Sequence, residues 1–372
     1  MKQNHSFTKI ITLLLCMFLL ASSFMGCTSP VSTDTSADNL ENQTKDATTE
    51  TAGTDAAATM ASSTSASFPI TIKHAFGETV IKAKPERIVT ISWSNQDTPL
   101  ALGVLPVGIS EANYGVTDGG SILPWTKEAI AKLGGTEKTV IFNDTDGLDF
   151  EAINEVSPDV ILAASSGITQ EDYDTLSAIA PVVAYPLNPW QTLWRDQVTI
   201  NAMAMGMETE GKELVAKLDD LIATTVAQYP ELKDKNVAFA YFDPADLSTI
   251  SLYTTGDPRV AFLEDLGLAV APSVKELEKG AGNFYIQVSS ENADKLADID
   301  IILTWASGDG SNLLSLLQAD ALIGSIPAIK NGAVVAFSES PLAAAQSPSA
   351  LSIPYTIDEY VATIAEAAKK VK

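Results

Sequence analysis

The stretch Glu151–Gly167, EAINEVSPDVILAASSG, contains the pattern that decides the fold of this chain. An acidic segment with helix-like spacing (149–156) leads into the apolar run DVILA, and small residues then close the unit at Gly167. Similar strand-forming runs are RIVTIS from Arg87, LPVGIS from Leu105 and PVVAYP from Pro181. Alternating apolar strands and amphipathic helices are typical of βα units around a buried, mostly parallel sheet. The sequence therefore predicts an α/β fold.

The same alternation returns in the second half of the chain. Strand-like runs there are NVAFAYF from Asn236, TISLYT from Thr249, DIILTWA from Asp300 and AVVAFS from Ala333. The segment ENADKLADIDIILTWASG from Glu291 also repeats the order of the opening stretch: an acidic helix start, an Asp, an apolar strand and a turn ending in Gly. A body of this length suits two domains. We therefore predict two Rossmann-like lobes of similar construction, over residues 68–190 and 230–372.

The segment 191–229 is predicted to be the helix that joins the two lobes. Its interior contains no proline, whereas Pro189 precedes it and Pro230 ends it. Apolar residues recur in it at helical spacing: Leu214, Leu218, Leu221 and Ile222. A continuous helix of this length would span about 57 Å. Gly206 and Gly211 would allow a bend or a break.

Residues 1–27 have the features of a lipoprotein signal peptide. Lys2 and Lys9 form a cationic start, an apolar run follows over residues 10–20, and small residues lead to Cys27. The apolar run is shorter than the roughly 20 residues that a membrane span needs. We predict cleavage and lipid attachment at Cys27, which would anchor an extracytoplasmic protein to the cell membrane. The alternative is a plainly secreted protein whose Cys27 belongs to the discarded signal.

Residues 28–67 are almost entirely Ser, Thr, Ala, Asp, Asn, Glu and Gln. Such a composition cannot bury enough apolar surface to offset the entropy of ordering, so a disordered tether is predicted. As a flexible coil it would reach about 35 Å on average. A tether of this kind would hold the folded body near the membrane and leave it free to turn.

The composition also excludes several classes of function. The formal net charge is −24, which disfavours binding of nucleic acid. The cysteines are Cys16, inside the signal, and Cys27, so the mature chain has no disulfide and no thiolate metal site. After the signal the sole histidine is His74, which excludes a metal site built from several imidazoles.

Several longer stretches carry a resemblance to a known family. They are KPERIVTISWSNQDTPLALGVLPVGIS (84–110), DFEAINEVSPDVILAASSGITQEDYDTLSAIAPVVAYP (149–186), PWQTLWRDQ (189–197) and TTGDPRVAFLEDLGL (254–268). With these stretches the chain resembles bacterial substrate-binding lipoproteins of iron-siderophore ABC transporters. The resemblance implies two lobes joined by a single long helix. It also implies a cleft that captures a ferric chelate as ligand, without a cofactor and without catalysis.

The predicted ligand site lies where strands end. In parallel α/β sheets, ligands bind outside the carboxyl ends of the strands. Four of the five tryptophans fall at or just beyond such ends, and tryptophan offers a large apolar face with one donor, which suits an amphipathic organic ligand. The predicted ligand-binding residues are Trp93, Tyr114, Ser166, Trp190, Trp194, Arg195, Tyr241, Arg259, Phe284, Tyr285 and Trp305.

The scarcity of arginine favours one chemical class of ligand. The mature chain contains only Arg87, Arg195 and Arg259, and Arg87 begins a strand. Ferric catecholates are strongly anionic and would call for a cluster of basic residues, whereas neutral or cationic ferric hydroxamates need one or two donors among aromatics. We therefore favour a ferric hydroxamate, with Arg195 as the leading polar contact. A solvated surface arginine is the alternative at that position.

The predicted partners are an ABC permease and its ATPase, with the binding protein acting as a monomer. Receptors of this group offer one glutamate from each lobe to arginines of the permease. The resemblance places these at Glu151 in DFEAI and at Glu264 in FLEDLG, although Asp265 makes the second assignment ambiguous. Glu151 also suits the first turn of a helix, where a carboxylate interacts favourably with the helix dipole.

Two other functions stay open at this point. An anchored hydrolase could use a carboxylate pair such as Asp144 and Asp146, although acidic residues around a glycine more often form a solvated turn. A receptor of the same architecture could instead bind haem or cobalamin, with His74, Met203 or Met205 as a candidate axial ligand for haem.

Overall fold

The computed structural model describes residues 67–144, 146–306 and 312–372, which belong to one compact unit. The predicted signal peptide, its Cys27 and the predicted tether up to residue 66 lie outside the described residues. Within the described ranges, no helix combines the length and the apolar character that crossing a membrane would require.

The first lobe is built on a five-stranded sheet whose neighbouring strands are all parallel. An antiparallel hairpin of β1 (Ile70–His74) and β2 (Gly77–Ile81) precedes this sheet. The sheet strands are β3 (Ile88–Thr90), β4 (Gly108–Ser110), β5 (Val140–Phe142), β6 (Val160–Ala163) and β7 (Val182–Ala184), in the spatial order β5-β4-β3-β6-β7. The helices between them are α1 (Asp97–Ala101), α2 (Pro124–Lys132), α3 (Phe150–Glu155) and α4 (Gln170–Ser177). Strand β6, with the sequence VILA, is buried throughout, as expected for a sheet covered on both faces.

The strand order gives the first lobe a topological switch point. From β3 the chain moves to β4 and β5 on one side, and then returns to β6 and β7 on the other side. The connections after β3 and β6 therefore diverge and leave a crevice at the carboxyl ends of these strands, where ligands of open α/β sheets bind. Trp93 follows β3 and Ser165 follows β6 at this crevice.

The predicted continuous helix over 191–229 is corrected to a hairpin of two helices, α5 (Trp194–Ala204) and α6 (Glu208–Val226). The break is at Gly206, whose φ of 69° is in the left-handed region that favours glycine. Gly211 then lets the helices pack closely, since a Cβ at this position would lie 2.4 Å from the Cβ of Ala202. Helix α6 spans about 28 Å, half of the predicted length.

The second lobe contains a mixed sheet of six strands. Its strands are β8 (Asn236–Asp243), β9 (Asp246–Tyr253), β10 (Ala269–Val270), β11 (Tyr285–Ser289), β12 (Ile301–Trp305) and β13 (Val334–Phe337). The main order is β11-β9-β8-β12-β13, and β10 pairs with the start of β8. The α-helices of this lobe are α7 (Pro258–Asp265), α8 (Pro272–Leu277), α9 (Leu313–Ala319), α10 (Pro327–Asn331), α11 (Pro341–Ala344) and α12 (Ser352–Ala368). Short 3-10 helices lie at Pro230–Leu232, Ser290–Leu296 and Ile323–Ser325.

The second lobe differs from the predicted uniform βα construction at β8 and β9. These strands pair in an antiparallel manner, and Asp243 lies opposite Asp246 at the turn. A connection this short cannot make the crossover that parallel strands require, so β8 and β9 form a hairpin. Strand β11 then adds to β9, again antiparallel. The α/β class and the two sheets are as predicted, whereas the parallel pairing holds only for part of the second sheet.

The carboxyl-terminal part of the chain packs against the first lobe as well as the second. Ala344 and Ala345, at the end of α11, share an apolar cluster with Leu123 and Trp125 of the first lobe. Helix α12 is amphipathic and buries residues such as Tyr360 in the core of the second lobe. The segment between α11 and α12 therefore connects the two lobes at one side of the cleft.

Candidate functional site

Residues from both lobes line a cavity of about 860 Å³. The first lobe contributes side chains at or after the carboxyl ends of its strands, among them Trp93, Asp144 and Ser165. The second lobe contributes Tyr241 from β8, Trp305 from the end of β12 and the loop that follows β13. A concave site of this size, which combines aromatic and polar groups, is suited to an organic molecule.

A chain of hydrogen bonds at the first-lobe side of the cavity orients Asp144. The backbone N–H of Ser92 donates to Ser110 Oγ at 2.9 Å, and the Ser110 hydroxyl donates to Asp144 Oδ2. Because β3, β4 and β5 are neighbours, the residues at their carboxyl ends come together in this order. Burial raises the pKa of Asp144, and the hydrogen bond from Ser110 and the nearby Asp149 backbone, which makes no contact of normal hydrogen-bond geometry, oppose that shift.

Two polar atoms at the same side of the cavity are buried and lack a partner. Within the described residues, Asp144 Oδ1 and Trp93 Nε1 make no hydrogen bond of normal geometry. Buried polar groups are nearly always paired in folded proteins, so an unpaired acceptor and an unpaired donor along a cavity are expected to bind a ligand or water.

On the second-lobe side, Arg259 is held within an aromatic cluster. Its Nε donates to Asp257 Oδ1 at 2.7 Å, and its terminal nitrogen donates to Oδ2 of the same carboxylate. The guanidinium lies 4.5 Å from the ring centroid of Tyr253 and 4.6 Å from that of Trp305. Burial raises the pKa of Tyr253 to about 12 despite the nearby Arg259. The pair with Asp257 balances the charge of Arg259 and fixes its orientation.

Trp190 presents an unusually accessible aromatic face to the cavity. Its side chain is 45% exposed, and its backbone has a φ of 62°, held by an N–H donated to the carbonyl of Ser166. The indole lies against Gly167, where a Cβ would be 2.1 Å from Trp190 Nε1. Only glycine therefore leaves room for the indole in this position.

The chain matches the periplasmic binding protein family model over residues 88–341. It belongs to this family. The match includes the strands of both sheets that border the cavity, from β3 to β13. The predicted resemblance is confirmed at the level of the family.

Individual relatives carry more specific names. PiaA of Streptococcus pneumoniae TIGR4, solved in complex with ferrichrome, is 49% identical, with a TM-score of 0.77 over 82% of this chain and 100% of that one. The "Probable siderophore-binding lipoprotein YfiY" of Bacillus subtilis (strain 168) is 28% identical over 63% of this chain and 68% of its own length. The Fe(3+)-citrate-binding protein YfmC of the same organism is 27% identical over 69% of this chain and 75% of its own length.

In this binding protein, the structure brings most of the predicted site residues together. Seven of the eleven line the cavity, and they come from both lobes. These seven are Trp93, Tyr114, Trp190, Tyr241, Arg259, Phe284 and Trp305. Trp93, Tyr114, Trp190 and Trp305 lie at strand ends or in the loops that follow them, which is the position that the parallel-sheet argument predicts. Tyr241 lies within β8, Arg259 in the first turn of α7, and Phe284 immediately before β11.

Trp194 and Arg195 are not among the residues that line the cavity, and their predicted placement is corrected. Trp194 is only 2% exposed and belongs to the core of the second lobe, where its Nε1 donates to Asp265 Oδ2 at 2.9 Å. Arg195 donates to Asp265 at 2.8 Å and to Asp219 at 2.6 Å, and its guanidinium lies over the Trp194 ring. Together these contacts join α5 to α6 and α7, so both residues hold the helices in place.

Ser166 and Tyr285 also lie apart from the cavity lining. The Ser166 side chain is fully buried and donates to the carbonyl of Ala163. Tyr285 is on the edge strand β11, where it contacts the rings of Tyr253 and Phe284. The neighbours Ser165 and Phe284, rather than these two, reach the cavity.

Several lining residues were not predicted as ligand contacts. Asp144 appeared only as a candidate for hydrolysis, and the polar residues that were missed outright include Ser110, Glu111, Asp172, Gln197 and Glu339. Ser110 closes the run LPVGIS, so its place at a strand end was a usable signal. Gln197 lies one helical turn beyond Leu193 and donates to the carbonyl of Trp93, a contact that depends on the rotation of α5.

The residues behind the alternative functions do not converge on a single site. Asp144 lines the cavity, whereas Asp146 is exposed and is not part of the lining. His74 is buried beside Thr79, and Met203 and Met205 pack in an apolar cluster of the first lobe, so none of the three lines the cavity. Among the described residues, no group of three or more His, Cys, Asp or Glu side chains is arranged to hold a metal ion.

The two glutamates predicted to dock on the permease are exposed. Glu151 lies in the first turn of α3, and Glu264 lies in the last turn of α7, where it pairs with Lys275 at 3.1 Å. Asp265 is occupied by Trp194 and Arg195. Of the two adjacent carboxylates, Glu264 is thus the more available one, although its role in docking stays a prediction.

Proposed function

We propose that this chain is the extracytoplasmic substrate-binding component of an ABC importer, and that it captures a ferric siderophore of the hydroxamate type. The observation that carries this proposal is the cavity of about 860 Å³, whose aromatic walls come from both lobes. Aromatic faces suit the organic shell of a chelate, and a few polar groups fix its orientation. The role is binding and delivery, with no catalytic residue assigned.

The charge of the cavity supports a hydroxamate over a catecholate. Arg259 is the only lysine or arginine among the described lining residues, and its charge is already balanced by Asp257. A strongly anionic ferric catecholate would therefore meet no free basic cluster. Ferrichrome, the ligand bound to PiaA, is a ferric trihydroxamate, and PiaA is 49% identical to this chain.

Titration of the soluble body with defined chelates tests this proposal. Tryptophan fluorescence is the readout, because Trp93, Trp190 and Trp305 line the cavity. We expect a ferric trihydroxamate to quench the fluorescence and to be retained in native mass spectra. Ferric catecholate, ferric citrate, haem and cobalamin serve as comparison ligands. Tight binding of bare ferric iron, or of haem alone, would contradict the proposal.

We further propose how the protein is anchored to the membrane and how the permease recognises it. A lipid on Cys27 would anchor the mature chain, and the segment 28–67 would tether the body, which acts as a monomer. The lobes would span 68–190 and 230–372, with residues 191–229 between them. Glu151 and Glu264 would dock on the permease, which its ATPase drives. The lipoprotein name of YfiY supports the anchor. Acyl labelling of the native chain and of a Cys27→Ala variant tests it.

A further inference from the structure

We propose that Asp144 is a specificity-determining residue, whose carboxylate makes the cleft prefer ferric chelates that carry a protonated amine over neutral or anionic chelates of the same shape. This inference rests on the proposed function and adds to it a rule about ligand charge.

The first argument is the way in which Asp144 is presented. The Ser110 hydroxyl occupies Oδ2 and is itself fixed by the backbone N–H of Ser92. Oδ1 is buried along the cavity and makes no hydrogen bond of normal geometry within the described residues. A carboxylate that is held at Oδ2 and lacks a partner at Oδ1 can accept from a ligand once a small side-chain movement opens Oδ1 to the cavity. An ammonium is the strongest such donor, because charged donors form the stronger hydrogen bonds.

The second argument is the balance of charge around the cavity. Once the Arg259–Asp257 pair is set aside, the described lining contains four carboxylates and no basic side chain. They are Glu111, Asp144, Asp172 and Glu339.

These charges act on the cavity from both lobes. Burial raises the pKa of Asp144 and of Tyr114, and the negative charges of Glu111 and Glu339 add to these two shifts respectively. Charges of one sign that line a cleft with low-dielectric walls concentrate their field within it. A ligand cation would relieve this repulsion, whereas a ligand anion would add to it.

The test uses one chelate scaffold in three charge states. The probes are a linear ferric trihydroxamate with a terminal primary amine, its N-acetyl derivative and its N-succinyl derivative, which are cationic, neutral and anionic. We expect the native body to bind the cationic form about tenfold more tightly than the neutral form, and the anionic form most weakly. In Asp144→Asn we expect the cationic preference to fall below about threefold, with little change for the neutral chelate.

The matched control is Asp294→Asn, which removes the same charge from an exposed residue outside the cavity lining. It should leave the charge preference unchanged, because solvent screens exposed charges. A preference that persists undiminished in Asp144→Asn would overturn the proposal, as would equal native affinities for the cationic and neutral forms. The affinities of the native body for the three chelates test the proposal even if Asp144→Asn folds poorly. Failure of all three chelates to bind would instead reject the proposed function.

Discussion

The carboxylate of Asp97 in α1 accepts a hydrogen bond from the hydroxyl of Ser349, 252 positions further along the chain. The same carboxylate accepts from Trp125 Nε1 and from Thr126 Oγ1, each at 3.1 Å. Ser349 lies between α11 and α12, so this wholly buried group joins the first lobe to the segment that leads into the last helix. It is a fixed point beside the cleft, and its titration should be visible in the stability of the whole body.

Replacement of Asp97 by Asn is expected to change how stability depends on pH. Burial raises the pKa of Asp97 from 3.8 to about 6, even though four side-chain hydrogen bonds oppose the shift. The stability that this group contributes is therefore fully present below pH 3.8 and is lost as the pH rises through about 6. The native chain should lose about 2 kcal/mol from this source between pH 4 and pH 7. Asn does not titrate, so the free energy of unfolding of Asp97→Asn should rise relative to that of the native chain between pH 4 and pH 7.

Urea unfolding at several pH values measures this difference. Subtracting the native free energy of unfolding from that of Asp97→Asn removes the titration of all other groups. A difference that stays constant from pH 4 to pH 7 would show that folding does not raise the pKa of Asp97. Ser349→Ala provides a second comparison, since it removes one partner and keeps the carboxyl group.

His74 should produce a pH dependence of the opposite sign. Its Nδ1 accepts from the Phe76 backbone N–H at 3.2 Å, which leaves Nε2 to donate to Thr79 Oγ1 at 2.9 Å. Burial lowers the pKa of His74 below 6.5. Stability from this group is thus present above pH 6.5 and is lost as the pH falls towards the folded pKa. His74→Gln should flatten the loss between pH 7.5 and pH 5.5 in thermal unfolding. An unchanged slope would show that burial does not lower the pKa of His74.

Trp194 and Trp190 should behave oppositely when each is changed to alanine. Trp194 is 2% exposed within the core, so its removal should cost about 3–5 kcal/mol of stability while the folded fraction keeps its ligand affinity. Trp190 is 45% exposed and lines the cavity, so its removal should weaken ligand binding by about 2 kcal/mol with little loss of stability. Thermal unfolding and chelate titration of both variants check this pair. Loss of affinity in Trp194→Ala at full stability would return that residue to the ligand site.

The tryptophans also show how far the sequence could predict the site. The period of the apolar residues identified the strands, and the rule about strand ends then placed Trp93, Trp190 and Trp305 along the cavity. Trp194 follows the same strand as Trp190 but begins a helix. Which side of that helix faces the second lobe depends on tertiary packing, and local sequence does not reveal it.

The predictions about the fold show the same contrast: features set by local sequence were predicted, and features that depend on tertiary packing were not. Each strand in RIVTIS, DVILA and DIILT was recognisable, because continuous apolar runs are typical of strands buried on both faces. The direction of TISLYT was not, although exposure alternates along β9 in the way that is typical of antiparallel strands. Gly206 marked a position where a helix could break. Whether it did so depended on the close packing of Gly211 on Ala202 and on the pair between Arg195 and Asp219.

Gly167→Ala should weaken ligand binding by displacing Trp190. The new Cβ would lie 2.1 Å from Nε1 of the indole, so the ring must move out of its position along the cavity. We expect affinity for the chelate to fall by about tenfold, with a change in the emission of the tryptophans. In a Trp190→Ala background the same change should have no further effect, because the displaced group is absent. Additive losses in the double variant would mean that Gly167 acts by another route.

Delivery to the permease should depend on Glu151 and Glu264 while capture does not. Both side chains are exposed, and neither lines the cavity. Glu264 pairs with Lys275 at the surface, and such exposed pairs contribute only about 0–1 kcal/mol, so a permease arginine could readily replace the lysine. Removal of one partner of an interfacial charge pair can cost about 2 kcal/mol or more. We therefore expect Glu151→Ala and Glu264→Ala to lower uptake, with the largest loss in the double variant.

Whole-cell uptake of a radiolabelled ferric chelate, set beside titration of the soluble body, separates the two steps. Glu155→Ala is the matched control for Glu151, because it removes an exposed glutamate four residues further along the chain, in the same helix α3. It should leave both uptake and affinity near the native values. Native uptake by the double variant would show that docking uses other residues. A parallel loss of affinity in the soluble body would instead place these glutamates in the path of the ligand.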